Sequence, residues 1–182
     1  MFGDNIINAG RMLNDIDISS LKEEYIRNVL DLISLLKFKT IVFDFDGTLT
    51  HFDYANDRLL PCKDNDINEY SKLHNIYENV KIPKTMQYIL NELYEEDVYI
   101  LTVTQENVEK GKNEAIKKFF PTIKEENVIH VRNSKEKLEK LKEIHDKHNR
   151  EIIFVEDTAK TLLNVEETYD FVRGYHISSL IA

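Results

Sequence analysis

The chain has 182 residues, 42% of them hydrophobic and 31% charged, which is typical of one soluble globular domain. The formal net charge of −9 argues against non-specific binding to nucleic acids or membrane surfaces. The single cysteine, Cys62, excludes an internal disulfide bond and a zinc site built from several thiolates. No stretch approaches the ~20 apolar residues of a membrane span, and the N-terminus lacks a signal-peptide pattern. We therefore expect a cytoplasmic protein with no membrane partner.

The first 36 residues are expected to form an arm and one helix. Residues 1–18 show little pattern, whereas Ser20 and Glu23 form a capping box that predicts the start of a helix. Apolar residues then recur at helical spacing, so residues 21–36 are predicted to be an amphipathic helix that packs on the core.

The first predicted strand carries the most unusual stretch of the chain, TIVFDFDGTLT at residues 40–50. Its apolar run ends at Asp44, and Asp46 and Gly47 follow where the backbone is expected to turn. Buried strands rarely end in paired acids, because an unpaired buried charge is unfavourable. A metal ion or a phosphoryl group would account for two carboxylates at this place.

Residues 51–81 show little periodicity, and we interpret them as a loop insertion in the domain. Its histidines, His51 and His74, lack the partner spacing of a metal site. A helix is predicted over residues 82–96, where Pro83 stands in the first turn, and an apolar strand over residues 98–104.

The rest of the chain alternates helices with strands. The predicted elements are a helix at 106–119, a strand at 128–131, a helix capped by Ser134, a strand at 152–157, a helix capped by Thr158 and an edge strand at 171–177. This alternation predicts a central parallel sheet with helices on both faces. The expected fold is a single Rossmann-like, three-layer α/β/α domain over residues 1–182.

Four groups of polar side chains stand at or just beyond the C-terminal ends of predicted strands. They are Asp44 with Asp46, Thr102 or Thr104, Lys135, and Glu156 with Asp157. In a parallel sheet, right-handed crossovers bring these strand ends to one edge, where open α/β sheets bind their ligands. We therefore expect all four groups in one crevice.

The residue types in this crevice favour phosphoryl chemistry with Mg²⁺. Three or four carboxylates would repel one another unless a cation lay among them, and oxygen ligands without clustered cysteine or histidine point to Mg²⁺. One carboxylate can attack phosphorus, and a second can protonate the leaving oxygen and later deprotonate water. A hydroxyl and an ammonium are suitable donors to the non-bridging oxygens.

These motifs resemble those of the haloacid dehalogenase (HAD) superfamily of phosphohydrolases. DFDGT at 44–48 is similar to the first motif of that family, VYILT at 98–102 to the second and FVED at 154–157 to the fourth. Lys135 stands where the third-motif lysine is expected. The resemblance covers residues 38–165, and the motifs occur in the family's order.

The resemblance implies a role for each acid. Asp44 would be the nucleophile and a Mg²⁺ ligand. Asp46 would be the general acid/base and would give its backbone carbonyl to the metal. Asp157, together with Glu156, would complete the metal site.

The resemblance also implies which residues bind the phosphoryl oxygens. Thr102 and Lys135 would do so, with Thr104 and Lys137 as the alternatives in the same strand and the same helix turn. We prefer Thr102 because residues 98–102 match the family strand better.

The spacing of the motifs leaves no room for the full cap domain that sets specificity in this family. About thirty residues separate the second and third motifs, and one helix and one strand account for them. The 51–81 loop is too short for a full helical cap. We therefore expect a site that is open or shielded only by the 51–81 loop, and a bulky phosphorylated substrate such as a protein, a nucleic-acid end or another large molecule. The alternative is a nucleotidase whose site this loop covers.

The resemblance thus implies a Mg²⁺-dependent phosphatase that hydrolyses a phosphate monoester through an aspartyl-phosphate intermediate. One alternative is a phosphotransferase that uses the same intermediate. The other is a catalytically silent phosphate-binding or interaction module, against which the intact acid pair Asp44 and Asp46 argues. The sequence does not indicate the oligomeric state.

Overall fold

The computed structural model describes residues 38–51, 71–78, 80–83 and 98–180, together with Arg27, Asp31, Ser34, Glu69, Met86 and Leu90. Most of the predicted N-terminal arm and helix, much of the 51–81 loop and most of the predicted helix at 82–96 lie outside the described residues. Met86 and Leu90, from that last segment, are helical and fully buried.

The strands that follow are β1 (Thr40–Phe43), β2 (Val98–Val103), β3 (Val128–Val131), β4 (Ile152–Glu156) and β5 (Val172–His176). They form one sheet in the order β3-β2-β1-β4-β5, and every neighbouring pair is parallel. The helices of this region are α1 (Glu106–Phe119), α2 (Ser134–His148) and α3 (Ala159–Thr168), with short 3₁₀ turns at Glu125–Asn127 and Ile177–Ser179. The predicted parallel sheet is confirmed, and β5 is an edge strand as expected.

Strand β1 lies at the centre of the sheet because all four of its residues are compatible with burial on both faces. Ile41 is level with Val98 of β2 on one side and with Ile153 of β4 on the other. At the end of β1, the backbone N–H of Asp44 donates to the carbonyl of Val155 at 2.9 Å. This bond brings the first aspartate alongside the end of β4.

Alternate strand residues pack against helices on opposite faces. Phe43 belongs to the cluster that includes Ile116 of α1, whereas Val42 belongs to the cluster that includes Leu141 of α2 and residues of α3. Full burial of one such side chain contributes about 1.5–3 kcal/mol, so the two clusters hold the three layers together. The fold is therefore a three-layer α/β Rossmann-like domain. None of the helices in the described part of the chain is long and apolar enough to cross a membrane.

Two predicted helix caps differ from the structure. The prediction that Ser134 caps α2 is wrong, because Asn133 is the cap and its side chain accepts the backbone N–H of Glu136 at 3.0 Å. Asparagine and serine are equally good caps, so the sequence alone did not separate them. Thr158 occupies the cap position of α3, but its hydroxyl donates to Asp157 Oδ1 at 3.1 Å instead of accepting a helix N–H.

Candidate active site

A buried ion-pair triad lies at the C-terminal edge of the sheet. Asp44 follows β1 and is 5% exposed, Glu156 ends β4 and is 2% exposed, and Lys137 lies near the start of α2. The Lys137 ammonium is 2.7 Å from Asp44 Oδ1 and 2.7 Å from Glu156 Oε2. One cation is thus shared by two carboxylates.

One shared cation does not balance two buried carboxylates. Burial raises the pKa of Asp44 to about 6, even though Lys137 opposes this rise. Burial and the charge of Asp44 raise the pKa of Glu156 to about 7. Burial tends to lower the pKa of Lys137, but the two carboxylates raise it by more, so the net shift of this pKa is upward. The lysine therefore keeps its proton, and the two acids gain stability from a further cation.

A third carboxylate joins this pair. Oxygen atoms of Asp44, Glu156 and Asp157 lie within 4.8 Å of one another. Gly47 makes this approach possible: its φ is +75°, and a Cβ at this position would come within 2.2 Å of Asp157 Oδ2. On the other side, His176 Nε2 is hydrogen-bonded to the carbonyl oxygen of Asp157 at 2.7 Å. The three acids predicted to ligate a metal through their side chains are therefore brought together.

Asp46 is held by a different set of groups. Lys112 of α1 donates to Asp46 Oδ2 at 2.7 Å, and the Tyr77 hydroxyl lies 2.9 Å from Oδ1 and 3.2 Å from Oδ2. Burial and the charge of Asp46 raise the pKa of Tyr77, so the phenol stays protonated and donates. The side chain of Asp46 is 37% exposed, in contrast to the buried Asp44. The two aspartates therefore meet different surroundings.

The two candidate threonines also have different partners. Thr102 Oγ1 accepts a hydrogen bond from Lys112 at 3.0 Å, which links it to Asp46. Thr104 Oγ1 is instead hydrogen-bonded to His130 Nδ1 at 2.9 Å. The structure thus brings Thr102 to the acid groups and engages Thr104 in a separate pair. Of the two threonines, Thr102 is therefore the one linked through Lys112 to an acid of this site.

The lysine beside Asp44 is Lys137, the stated alternative to Lys135. Lys135 is exposed and forms no ion pair with any residue that the structure describes. The buried face of α2 consists of Lys137, Leu141 and Ile144, which recur at helical spacing. Lys135 lies two residues before Lys137, about 200° around the helix, and so it points away from the sheet.

Sequence reasoning missed two residues of this site, Lys112 and Tyr77. A signal for Lys112 was present, because it stands four residues after Val108 and three before Ala115 on the apolar face of α1. A lysine on such a face needs a buried partner. Tyr77 lies in the aperiodic 51–81 segment, where no pattern identified it. His51, one of the two histidines of the predicted loop, forms backbone hydrogen bonds with Lys81 and is not part of the acidic cluster.

Comparisons with known proteins do not assign the chain to a family. The sequence matches no protein-family model, and it has no significant match among curated proteins. The residues of the site itself therefore carry the evidence for function.

Proposed function

We propose that the chain is a HAD-type, Mg²⁺-dependent phosphatase that hydrolyses a phosphate monoester through an aspartyl-phosphate intermediate. The observation that carries this proposal is that Asp44 and Asp46, only two residues apart, lie in different surroundings. Asp44 is buried against Lys137, while Asp46 is partly exposed between Lys112 and Tyr77. A nucleophile and a proton carrier require different surroundings, and this arrangement supplies both.

The donor set of the site fits a Mg²⁺ ion. The carboxylates of Asp44, Glu156 and Asp157 would hold it together with the backbone carbonyl of Asp46, all of them hard oxygen donors. The raised pKa values of Asp44 and Glu156 indicate that negative charge is under-compensated there. When bound, the ion would supply positive charge to the carboxylates and to the phosphoryl oxygens.

In the first chemical step, a carboxylate oxygen of Asp44 attacks phosphorus. The new bond joins this oxygen to phosphorus, and the bond from phosphorus to the ester oxygen breaks. The departing oxygen takes the proton of the Asp46 carboxyl group, which leaves Asp46 ionised. Lys137 has two acceptors among the described residues, so one of its three N–H groups can donate to a phosphoryl oxygen.

In the second step, water attacks the phosphorus of the aspartyl phosphate. The Asp46 carboxylate accepts a proton from this water, and the bond between phosphorus and the Asp44 oxygen breaks. Inorganic phosphate leaves, Asp44 is ionised again and Asp46 is protonated for the next cycle. Thr102 would donate its hydroxyl proton to a phosphoryl oxygen in both steps. The bond from Lys112 supports this role, because the hydroxyl accepts that bond and keeps its own proton.

The proposal for the substrate class comes from the spacing of the motifs, which leaves no room in the sequence for a full cap. We propose a bulky phosphorylated substrate, including a protein or a nucleic-acid end. A screen of phosphopeptides, sugar phosphates, nucleotides and 3′- or 5′-phosphorylated oligonucleotides compares these classes. Preference for the smallest sugar phosphates would contradict the expectation of an open site.

The proposed reaction is tested with p-nitrophenyl phosphate and purified protein, with Mg²⁺ and with EDTA. We expect turnover that requires Mg²⁺ and disappears in Asp44→Asn. Acid quenching followed by borohydride reduction should convert the phosphorylated residue to homoserine at position 44. Asp146→Asn is the matched control, because Asp146 is an exposed acid paired with Lys142 on α2. This variant should keep wild-type activity.

Three outcomes separate the alternatives. Wild-type protein that cleaves neither p-nitrophenyl phosphate nor any member of the screen contradicts the phosphatase and favours a silent binding module. Turnover that Asp44→Asn retains contradicts the nucleophile. Faster product release with added alcohols or sugars, with phosphate transferred to them, favours the phosphotransferase.

A further inference from the structure

Lys112 is a buried lysine for which the proposed reaction has so far no direct task. Its side chain is 1% exposed and lies on the buried face of α1 beside Ala115 and Ile116. Burial of an ammonium is unfavourable unless its N–H groups are paired. At Lys112 the acceptors are Asp46 Oδ2 at 2.7 Å, Thr102 Oγ1 at 3.0 Å and the carbonyl of Val103 at 2.8 Å.

The number of these acceptors restricts what Lys112 can do. An ammonium has three N–H donors, and three acceptors from the described residues engage all of them. Lys137, by comparison, has two such acceptors and retains one donor for a phosphoryl oxygen. Lys112 is therefore not a second phosphate-binding lysine as the site stands. Its role therefore concerns the two side chains to which it donates, Asp46 and Thr102.

Those two side chains perform different parts of the proposed reaction. Asp46 transfers protons, and Thr102 donates to a phosphoryl oxygen. The bond from Lys112 leaves the Thr102 hydroxyl with its own proton for donation. The Asp46 carboxylate is fixed from a second side by Tyr77, whose ring also lies 5.6 Å from the Lys112 ammonium. Lys112 and Tyr77 thus restrict the orientation of the one acid in the site that is not deeply buried.

We propose that Lys112, anchored on Thr102 and assisted by Tyr77, is the positioning residue that orients Asp46 for proton transfer. This proposal rests on the proposed phosphatase function. It predicts that Lys112 acts on steps that move a proton through Asp46. It also predicts that Lys112 contributes little to binding of the phosphoryl group, since no N–H group is left for it.

Leaving groups of different acidity test this role. Departure of p-nitrophenolate requires little protonation, whereas departure of an alkyl alcohol requires the Asp46 proton. Hydrolysis of the aspartyl phosphate requires Asp46 as base with either substrate. A loss of proton transfer therefore affects the two substrates differently, while a loose or poorly folded site would affect both alike.

The variant is Lys112→Met, which keeps the length of the side chain and removes its donors. With p-nitrophenyl phosphate we expect kcat to fall about 10²-fold, while kcat/KM falls by less than about threefold and a burst of p-nitrophenolate appears. With an alkyl phosphate, kcat/KM should fall about 10²-fold as well. Inhibition by inorganic phosphate should stay within about threefold of wild type, because Lys112 has no donor left for it.

Two further variants keep the test independent of folding. Lys110→Met is the matched control on the same helix, because Lys110 is 90% exposed, and it should behave as wild type. Tyr77→Phe retains the Lys112 contacts and removes only the hydroxyl, so it should show the same burst with a smaller fall in kcat, about tenfold. This variant tests the positioning of Asp46 even if Lys112→Met does not fold.

The outcomes distinguish this role from the function on which it rests. Wild-type protein without turnover overturns the phosphatase and this role with it. If wild type is active and depends on Asp44, normal kinetics in Lys112→Met overturn the role alone. An equal fall of kcat/KM for both substrates, or much weaker inhibition by phosphate, also overturns it, because the lysine would then be structural or phosphate-binding. Wild-type kinetics without a burst in Tyr77→Phe overturn the part assigned to Tyr77.

Discussion

Asp44→Asn is expected to stabilise the Mg²⁺-free protein while it abolishes turnover. Asparagine has nearly the shape of the protonated aspartate but no negative charge. In the wild type, burial raises the pKa of Asp44 from 3.8 to about 6, so the folded state disfavours the ionised acid. At about 1.4 kcal/mol per pKa unit, this shift corresponds to roughly 3 kcal/mol lost when the acid ionises in the folded protein.

The sign of this effect fixes its pH dependence. Because the folded-state pKa of Asp44 is raised, protonated Asp44 favours the folded state. This contribution to wild-type stability is complete below about pH 4, roughly the unfolded pKa, and is lost as the pH rises through about 6. The Asn variant lacks this titration. Its free energy of unfolding should therefore exceed that of wild type by roughly 3 kcal/mol at pH 8 and by about half as much at pH 5.

Urea denaturation in EDTA at pH 5 and pH 8 measures both values. Asp146→Asn, an exposed acid on α2, controls for the loss of one negative charge and should shift neither midpoint by much. Addition of Mg²⁺ at pH 8 should stabilise wild type and not Asp44→Asn, since the proposed ion site includes the Asp44 carboxylate of the folded protein. An Asn variant that is less stable than wild type at pH 8 in EDTA would refute the reasoning. It would mean that the Lys137–Asp44 pair outweighs the cost of burial.

Four further substitutions test the rest of the site. Lys137→Met should lower kcat at least 10²-fold and destabilise the protein by about 3–5 kcal/mol, whereas Lys135→Met should change neither, as activity assays and urea denaturation will show. Gly47→Ala should destabilise by about 1–3 kcal/mol, because alanine is strained at φ +75° and its Cβ would meet Asp157; a wild-type denaturation midpoint contradicts this. Asp157→Asn should raise the Mg²⁺ concentration needed for half-maximal activity, measured by titration, and an unchanged value would remove Asp157 from the metal site.

Most of the fold was predictable because its strands are buried on both faces and read as continuous apolar runs. The strand predicted over 98–104 is observed at Val98–Val103, and the helix predicted over 106–119 has those bounds in the structure. It was harder to predict which of two lysines near the start of a helix is buried. Lys135 and Lys137 both follow a strand and begin a helix, and only the burial stripe with Leu141 separates them.

Polar residues that act from outside the motifs were the hardest to predict. Lys112 lies on the apolar face of α1, but this charged helix carries several lysines, and their number does not show which one is buried. Tyr77 reaches Asp46 from 31 residues along the chain, out of a segment without periodicity. Its contact with Asp46 depends on how the chain comes back to the sheet edge after β1, and no local pattern encodes that path.

The two aspartates owe their different surroundings to the place where β1 ends. In a continuing strand, residues two apart point to the same face, and Asp44 and Asp46 would compete for one environment. Instead β1 ends at Phe43 and the chain turns at Gly47, so the alternation stops between them. Asp44 meets Lys137 from the helix on one face, and Asp46 meets Lys112 from the helix on the other. Each aspartate is therefore paired with a different lysine, which separates the charges and suits the roles proposed for them, attack on phosphorus by Asp44 and proton transfer by Asp46.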